Sequence, residues 1–202
     1  MIDQVKSELL VLLREKSVFH GDFVLSSGAH SKYYIDCKLT TFDSRGAWLV
    51  GEAMYNLIRQ TERSLNCKVR GVGGLTMGAD PISLSVGMMS HREDASEPLR
   101  TFSVRKAQKD HGQAKLIEGN FKEGDDVVVI DDVITKGEST LKAIQAVVQA
   151  GGKIAFVAAL VDREEGGRAK IESLGYRVFP LFHKKDLLGL GEGSLEPKDQ
   201  AK

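Results

Sequence analysis

The chain has 202 residues, 42% of them apolar and 28% charged, and its 28 basic and 28 acidic side chains cancel to zero net charge. That size and balance suit one soluble domain with its own core, and they exclude a global electrostatic pull toward nucleic acid or an acidic membrane. No apolar run approaches the ~18 residues of a membrane span. Cys37 and Cys67 have no metal-type or CxxC spacing, so two reduced thiols in a cytoplasmic protein are expected.

The opening MIDQVKSELLVLLREK sets Ile2, Val5, Leu9, Leu12 and Leu13 at helical spacing, predicting an amphipathic helix over 2–16. Its interspersed acids and the lack of a small-residue cleavage site argue against a secretory signal. GDFVLSSGAHSKYYIDCK alternates around 23–25 and 33–35 with Ser-Ser-Gly between, and reads as a hairpin-like pair. TFDSRGAWLVGEAMYNLIRQ is a helix with Asp43 or Ser44 as its N-cap. VRGVGG (69–74) is a buried strand breaking into a glycine turn, and ADPISLSVGMM is a helix with Pro81 in its first turn.

Residues 101–104 form a strand. The charged run RKAQKDHGQAKLIEGNFKEGDD follows, with glycines at 112, 119 and 124 and no steady apolar period, and is expected to be mostly loop. The pattern then becomes regular. A strand at 127–130 leads to a helix at 139–150 ended by Gly151 and Gly152, and then to an almost wholly apolar strand at 154–161, whose continuity argues burial on both faces. A helix over 164–174 stops at Gly175, and a last strand covers 176–182. This alternation predicts βαβ units and a parallel sheet. The polar tail at 191–202 is expected to fray. His20, His91 and His183 have no partner at metal-ligand spacing and read as surface or capping residues.

The stretch VVVIDDVITKGEST, 127–140, runs an apolar strand into two adjacent carboxylates, Asp131 and Asp132. Ligands of open α/β sheets sit beyond the carboxyl ends of the strands. The loop Thr135-Lys136-Gly137-Glu138-Ser139-Thr140 then opens a helix, whose free N–H groups and partial positive charge favour a phosphate. Gly137 lets the backbone approach closely, and the hydroxyls add donors. The acids need hydrogen-bond donors in return, and ribose hydroxyls meet that need. Capping and salt-bridging is the bland alternative for the acidic pair. Neither G-x-x-x-x-G-K-[ST] nor G-x-G-x-x-G spacing occurs, GVGGLTMG included.

VVVIDDVITKGEST resembles the phosphoribosyl-pyrophosphate (PRPP) motif of type I phosphoribosyltransferases. Over nearly its whole length the chain resembles the orotate phosphoribosyltransferase family, through GDFVLSSGAHSKYYID, GVGGLTMGADPI, VRKAQKDHG and LVDREEGG. The resemblance implies an α/β fold with a central, mainly parallel sheet flanked by helices, a small N-terminal hood within residues 1–40, and one domain over 1–190. It implies displacement of pyrophosphate from the anomeric carbon of PRPP by a nitrogen of orotate, giving orotidine 5′-monophosphate.

The resemblance also implies the site roles that follow, residue by residue. Asp131 and Asp132 hold the ribose hydroxyls and ease the positive charge of an oxocarbenium-like centre, with Val133 and Ile134 in the same motif. Thr135, Lys136, Gly137, Glu138 and Ser139 clasp the 5′-phosphate. Arg105, Lys106, Lys109 and His111 close over the leaving pyrophosphate, Gly112 being the hinge. By resemblance these four reach the site of the other subunit of a homodimer. A solvated charged loop is the alternative reading of RKAQKDH. Arg163 sits on the orotate, since a guanidinium suits a planar carboxylate-bearing base, its alternative being a salt bridge to Asp162, Glu164 or Glu165. Tyr34 and Ile35 match the segment whose backbone reads the pyrimidine edge, with Thr135 also near the base. Mg²⁺ is expected on pyrophosphate and ribose oxygens, with no firm protein ligand.

Some members carry lysine at the positions of Ser26 and Met77, and Lys32 and His30 are the nearby cations available to compensate for the first. Two alternatives compete with the enzyme: a phosphoribosyltransferase for another base, against which RKAQKDHG and Arg163 argue, and a PRPP-sensing regulator, against which the intact cationic loop and zero net charge argue.

Overall fold

A computed structural model describes residues 2–24, 28, 30–106 and 116–189. Lys109, His111, Gly112 and Ser26, like the 191–202 tail, lie outside these residues. Six strands form the main sheet in the order β5-β4-β3-β6-β7-β8, where β3 is Gly71–Leu75, β4 Arg100–Val104, β5 Ile117–Gly119, β6 Asp126–Ile134, β7 Lys153–Asp162 and β8 Val178–His183. All neighbours run parallel except β5, which pairs antiparallel with β4 at one edge.

The apolar runs of β6 and β7 are continuous because both faces of the sheet are covered. Val128, Ile130, Phe156, Ala158 and Leu160 pack with α1 (Ile2–Ser17), α3 (Ser44–Leu65) and α4 (Ala79–Glu93). Their strand neighbours Val127, Val129, Val157 and Ala159 face the opposite way, onto Ala143, Ile144 and Val147 of α5 (Glu138–Gln149) and Ile171 of α6 (Gly167–Ser173). The period of two in a strand thus divides one sequence run between two cores. Helix α3 starts where expected: Asp43 is its N-cap and accepts the Gly46 N–H at 2.9 Å.

A separate antiparallel hairpin, β1 (Val18–Val24) with β2 (His30–Ile35), leaves the sheet on the side of α1. Its base is buried through Val18 and Ile35, which join the α1 core. The exposed side carries Phe19, Phe23 and Tyr34 in a tilted aromatic cluster. Short helices α2 (Lys38–Thr41) and α7 (Lys184–Leu188) were not expected from the sequence.

Two expectations are corrected and one is refined. β6 does not stop at residue 130 but runs to Ile134, because β7 keeps pairing with it as far as Ile134↔Asp162. The charged run after residue 104, expected to be mostly loop, contains one short strand, since Ile117 to Gly119 return along β4 as β5, with Ile117 buried. The helix expected over 164–174 begins only at Gly167, because Glu164 (φ +57°) and Gly166 (φ +89°) take left-handed conformations that no helix continues.

β3 owes its glycines to crowding. A Cβ on Gly74 would lie 2.0 Å from the Ile130 carbonyl oxygen and 2.7 Å from the Ala79 Cβ. Gly74→Ala is therefore expected to destabilise the protein by about 2–3 kcal/mol through overpacking, read as a lower midpoint in urea unfolding.

Candidate active site

The site begins where β6 loses one neighbour. β3 pairs with β6 only through Gly73↔Val129, whereas β7 stays paired through Ile134. Beyond that point the polypeptide of β3 turns away through Thr76, Met77 and Gly78 into α4. Asp131 and Asp132 thus lie on a strand whose β3-side edge is no longer paired, at the carboxyl end of the sheet.

Strand alternation sends the two acids toward different helices. Asp131 turns to α5, where its Oδ2 accepts the Thr140 hydroxyl at 2.5 Å. Asp132 turns to the start of α4, so close that a Cβ on Gly78 would lie 2.2 Å from its Oδ1. Burial pushes the Asp131 carboxyl up to about 7; the Thr140 hydrogen bond opposes this, and the charge of Asp132 adds to it. The acidic field reaches further. Burial, and then the charges of Asp132 and Asp36, push the Cys37 thiol well up. Lys38, bound to Asp36 Oδ1 at 2.6 Å, has its ammonium held above the usual range by that hydrogen bond, Asp132 adding to the effect.

The phosphate-type loop is built from close glycine contacts. Gly137 has φ +77° and precedes the first residue of α5. The Gly167 N–H donates to the Thr135 carbonyl at 2.9 Å, and a Cβ on Gly167 would lie 2.4 Å from that oxygen. The turn is thus clamped from outside while the first N–H groups of α5 stay free of intrahelical partners. Ile134 is buried in the α5 core and Val133 is half-buried. Lys136, Glu138 and Ser139 are exposed, and Lys136 Nζ donates to the Glu165 carbonyl at 3.4 Å.

Arg163 follows β7 directly, and its backbone N–H donates to the Ile134 carbonyl at 3.0 Å. Its guanidinium lies over the Tyr33 ring at 5.7 Å and pairs with Glu165 at 2.7 Å. Its Nε is buried and finds no partner among the described residues. The ion pair is with Glu165, one of the three acids anticipated; Asp162 instead accepts the Glu164 N–H at 2.8 Å. Ile35 is buried in the core, while the exposed Tyr34 side chain joins Phe19 and Phe23. Tyr33, on the other face of β2, is the ring that meets Arg163.

Arg105 and Lys106 stand at the carboxyl end of β4. Arg105 reaches Glu118 at 3.5 Å, its N–H donates to the Leu116 carbonyl at 2.9 Å, and Lys106 is exposed. Lys32 pairs with Asp22 on the hairpin and His30 is exposed. Gly78, Lys38 and Tyr33 thus join the site beyond what the sequence suggested, and Thr140, anticipated as a donor to a phosphate, instead donates to Asp131. The period-two pattern of β2, which puts Tyr33 and Ile35 on one face, was the available signal for Tyr33.

A carboxyl group raised in the folded state makes stability fall as pH rises, since the native protein holds a proton that the unfolded chain releases. For Asp131 that window runs from its unfolded value of about 4 to about 7. Asp131→Asn keeps an acceptor for Thr140 and is expected to lose this slope, melting higher than the parent at pH 8 and nearly equally at pH 4 in thermal scans.

No family model matches the chain. It is 41% identical over 186 residues to the orotate phosphoribosyltransferase of Aquifex aeolicus, covering 91% of this chain and 97% of that relative. Among solved structures, orotate phosphoribosyltransferase of Mycobacterium tuberculosis H37Rv in complex with Fe(III) dicitrate superposes with a TM-score of 0.76 at 37% identity, covering 91% of this chain and 98% of the other. The same enzyme in complex with PRPP superposes with a TM-score of 0.71 at 30% identity over 91% and 92% of the two chains.

Proposed function

The chain belongs to the orotate phosphoribosyltransferase family, and on that premise we propose how its residues transfer the phosphoribosyl group of PRPP to orotate, giving orotidine 5′-monophosphate and pyrophosphate. The observation that carries the reading is the order along one strand end: two carboxylates beside an open edge, then a glycine turn, then the N-terminus of α5. A sugar diol, which donates, followed by a phosphate, which accepts, complements that order of acceptors and donors.

Asp131 and Asp132 accept hydrogen bonds from the ribose hydroxyls, and their charge favours the electron-poor anomeric carbon as the leaving group departs. Ligand hydroxyls donating to Asp131 oppose the effect of burial and draw it toward its ionised form. Backbone N–H groups from Thr135 to Ser139, helped by the Thr135 and Ser139 hydroxyls and Lys136, hold the 5′-phosphate, and the main chain of Val133 and Ile134 leads into that clasp. Arg163 takes the acidic base, which rests near Thr135 and against the backbone of Tyr34 and Ile35, the hairpin serving as hood. Arg105, Lys106, Lys109 and His111 cover the pyrophosphate as it leaves.

Two adjacent carboxylates at the open edge fit a cation held mainly through ligand oxygens. Mg²⁺ bound in that way supplies charge neutralisation on the pyrophosphate, and Asp131 and Asp132 are the side chains that would face it. A homodimer accounts for a cationic segment rooted far across the sheet from Arg163. Leu84 and Met88, exposed one turn apart on α4 beside Arg100 and Thr101 of β4, offer such a dimer apolar surface to bury. The free thiols Cys37 and Cys67 suit the cytoplasm. Among the described residues no helix is long and apolar enough to cross a membrane.

Purified protein mixed with PRPP, Mg²⁺ and orotate is expected to consume orotate, followed by its absorbance, and to leave adenine, hypoxanthine and uracil unchanged. Absence of orotate turnover would refute the reading. Lys109→Ala protein mixed with an Asp131→Asn, Asp132→Asn double variant is expected to regain activity if the cationic segment serves the neighbouring subunit, and to stay inactive if each chain completes its own site.

A further inference from the structure

The Arg163 guanidinium is only half engaged. Its side chain is 9% exposed, and its Nη2 is bound by Glu165 Oε1 at 2.7 Å, with the Glu165 side chain 27% exposed. The Tyr33 ring lies 5.7 Å away, and Nε has no partner among the described residues. A planar carboxylate is best received by two parallel N–H donors of the guanidinium fork. Glu165 sits against the Nη2 arm of that fork, so a second carboxylate that takes both donors of the edge Glu165 occupies must displace it.

The mounting of Glu165 allows this without moving the main chain. Glu165 lies between two left-handed residues, Glu164 at φ +57° and Gly166 at φ +89°. Its carbonyl is 3.4 Å from Lys136 Nζ, and the turn is tied down by the Gly167 N–H on the Thr135 carbonyl. The backbone is therefore anchored on the phosphate-type loop, while the side chain reaches Arg163 from a partly solvated position. Glu164 points elsewhere, its carboxylate 3.7 Å from His183 Nδ1. Glu165 is thus the acid of this turn that faces the guanidinium. A buried guanidinium stripped of its partner is costly, so an internal carboxylate keeps it placed between turnovers.

We propose that Glu165 is a positioning residue that occupies the seat of the substrate's carboxylate on Arg163 and is exchanged for it when the base binds. This rests on the reading that Arg163 receives the acidic base. Binding is then an exchange of anions rather than the capture of a free cation. A ring of the same shape without a carboxylate has nothing to offer in the exchange and leaves Glu165 where it is.

Glu165→Gln removes the charge and keeps the shape. At saturating PRPP the orotate KM is expected to fall about fivefold, the scale of a partly exposed ion pair. The inhibition constant of uracil, or its failure to inhibit, is expected to shift by less than about twofold. Glu165→Asp, which keeps the charge on a shorter arm, should fall between the two and serves in its place if the glutamine variant does not fold, as judged by melting temperature and PRPP KM. An orotate KM that is unchanged or raised overturns the proposal, and so does equal tightening of orotate and uracil, which would mark a steric effect. Arg163→Gln separates the premise from the proposal. If it leaves the orotate KM untouched, the assignment of the base site fails. If it raises that KM about tenfold or more while Glu165→Gln lowers nothing, only the exchange fails.

Discussion

The unequal pairing of β6 is the constraint from which the site follows. On one side β7 supports the strand as far as Ile134, and on the other β3 leaves it after Val129. A strand end supported on both edges would present no free flank. One supported on neither would lack a fixed geometry. The asymmetry gives Asp131 and Asp132 a rigid base and open space together, as a preorganised electrostatic site requires.

The glycines of β3 and its exit are the complement of that asymmetry. β3 must run tight against β6 to bury Val72 and Val128 in one core, and Gly74 allows this by leaving the Ile130 carbonyl its space. Gly78 then lets the start of α4 come up against Asp132, and Gly167 lets α6 clamp the turn ahead of α5. Each close approach replaces a side chain with backbone, and backbone is what can be held rigid beside a ligand. The exchange proposed at Arg163 asks only the side chain of Glu165 to move, apart from these close approaches.

Much of this was legible in the residues. Helices α1 and α5 declared themselves by apolar spacing, α3 by its Asp43 cap, and β7 by an apolar run too continuous for a half-exposed strand. The acid pair and the glycine turn after it pointed to a diol and a phosphate before any geometry was known. What stayed hidden shares a physical cause. Asp131 and Asp132 look like the end of a strand because charges seldom sit inside one, yet the edge pairing with β7 carries the backbone through them. β5 is three residues long and is stabilised by its partner rather than by its own pattern. The α6 start depends on backbone angles at Glu164 and Gly166, which composition reports only weakly. The period of β2 puts Tyr33 on the face of Ile35, but its meeting with Arg163 depends on where the hairpin folds over, a long-range fact.

The burial of Asp131 carries a thermodynamic signature of its own. Near neutrality a carboxyl poised at about 7 is protonated in a sizeable share of molecules. A sugar that donates hydroxyls to it would expel that proton into solution. The heat of PRPP association measured by calorimetry would then include the ionisation enthalpy of whichever buffer absorbs it. Phosphate and Tris, which differ widely in that quantity, would report different apparent enthalpies for the same molecular event.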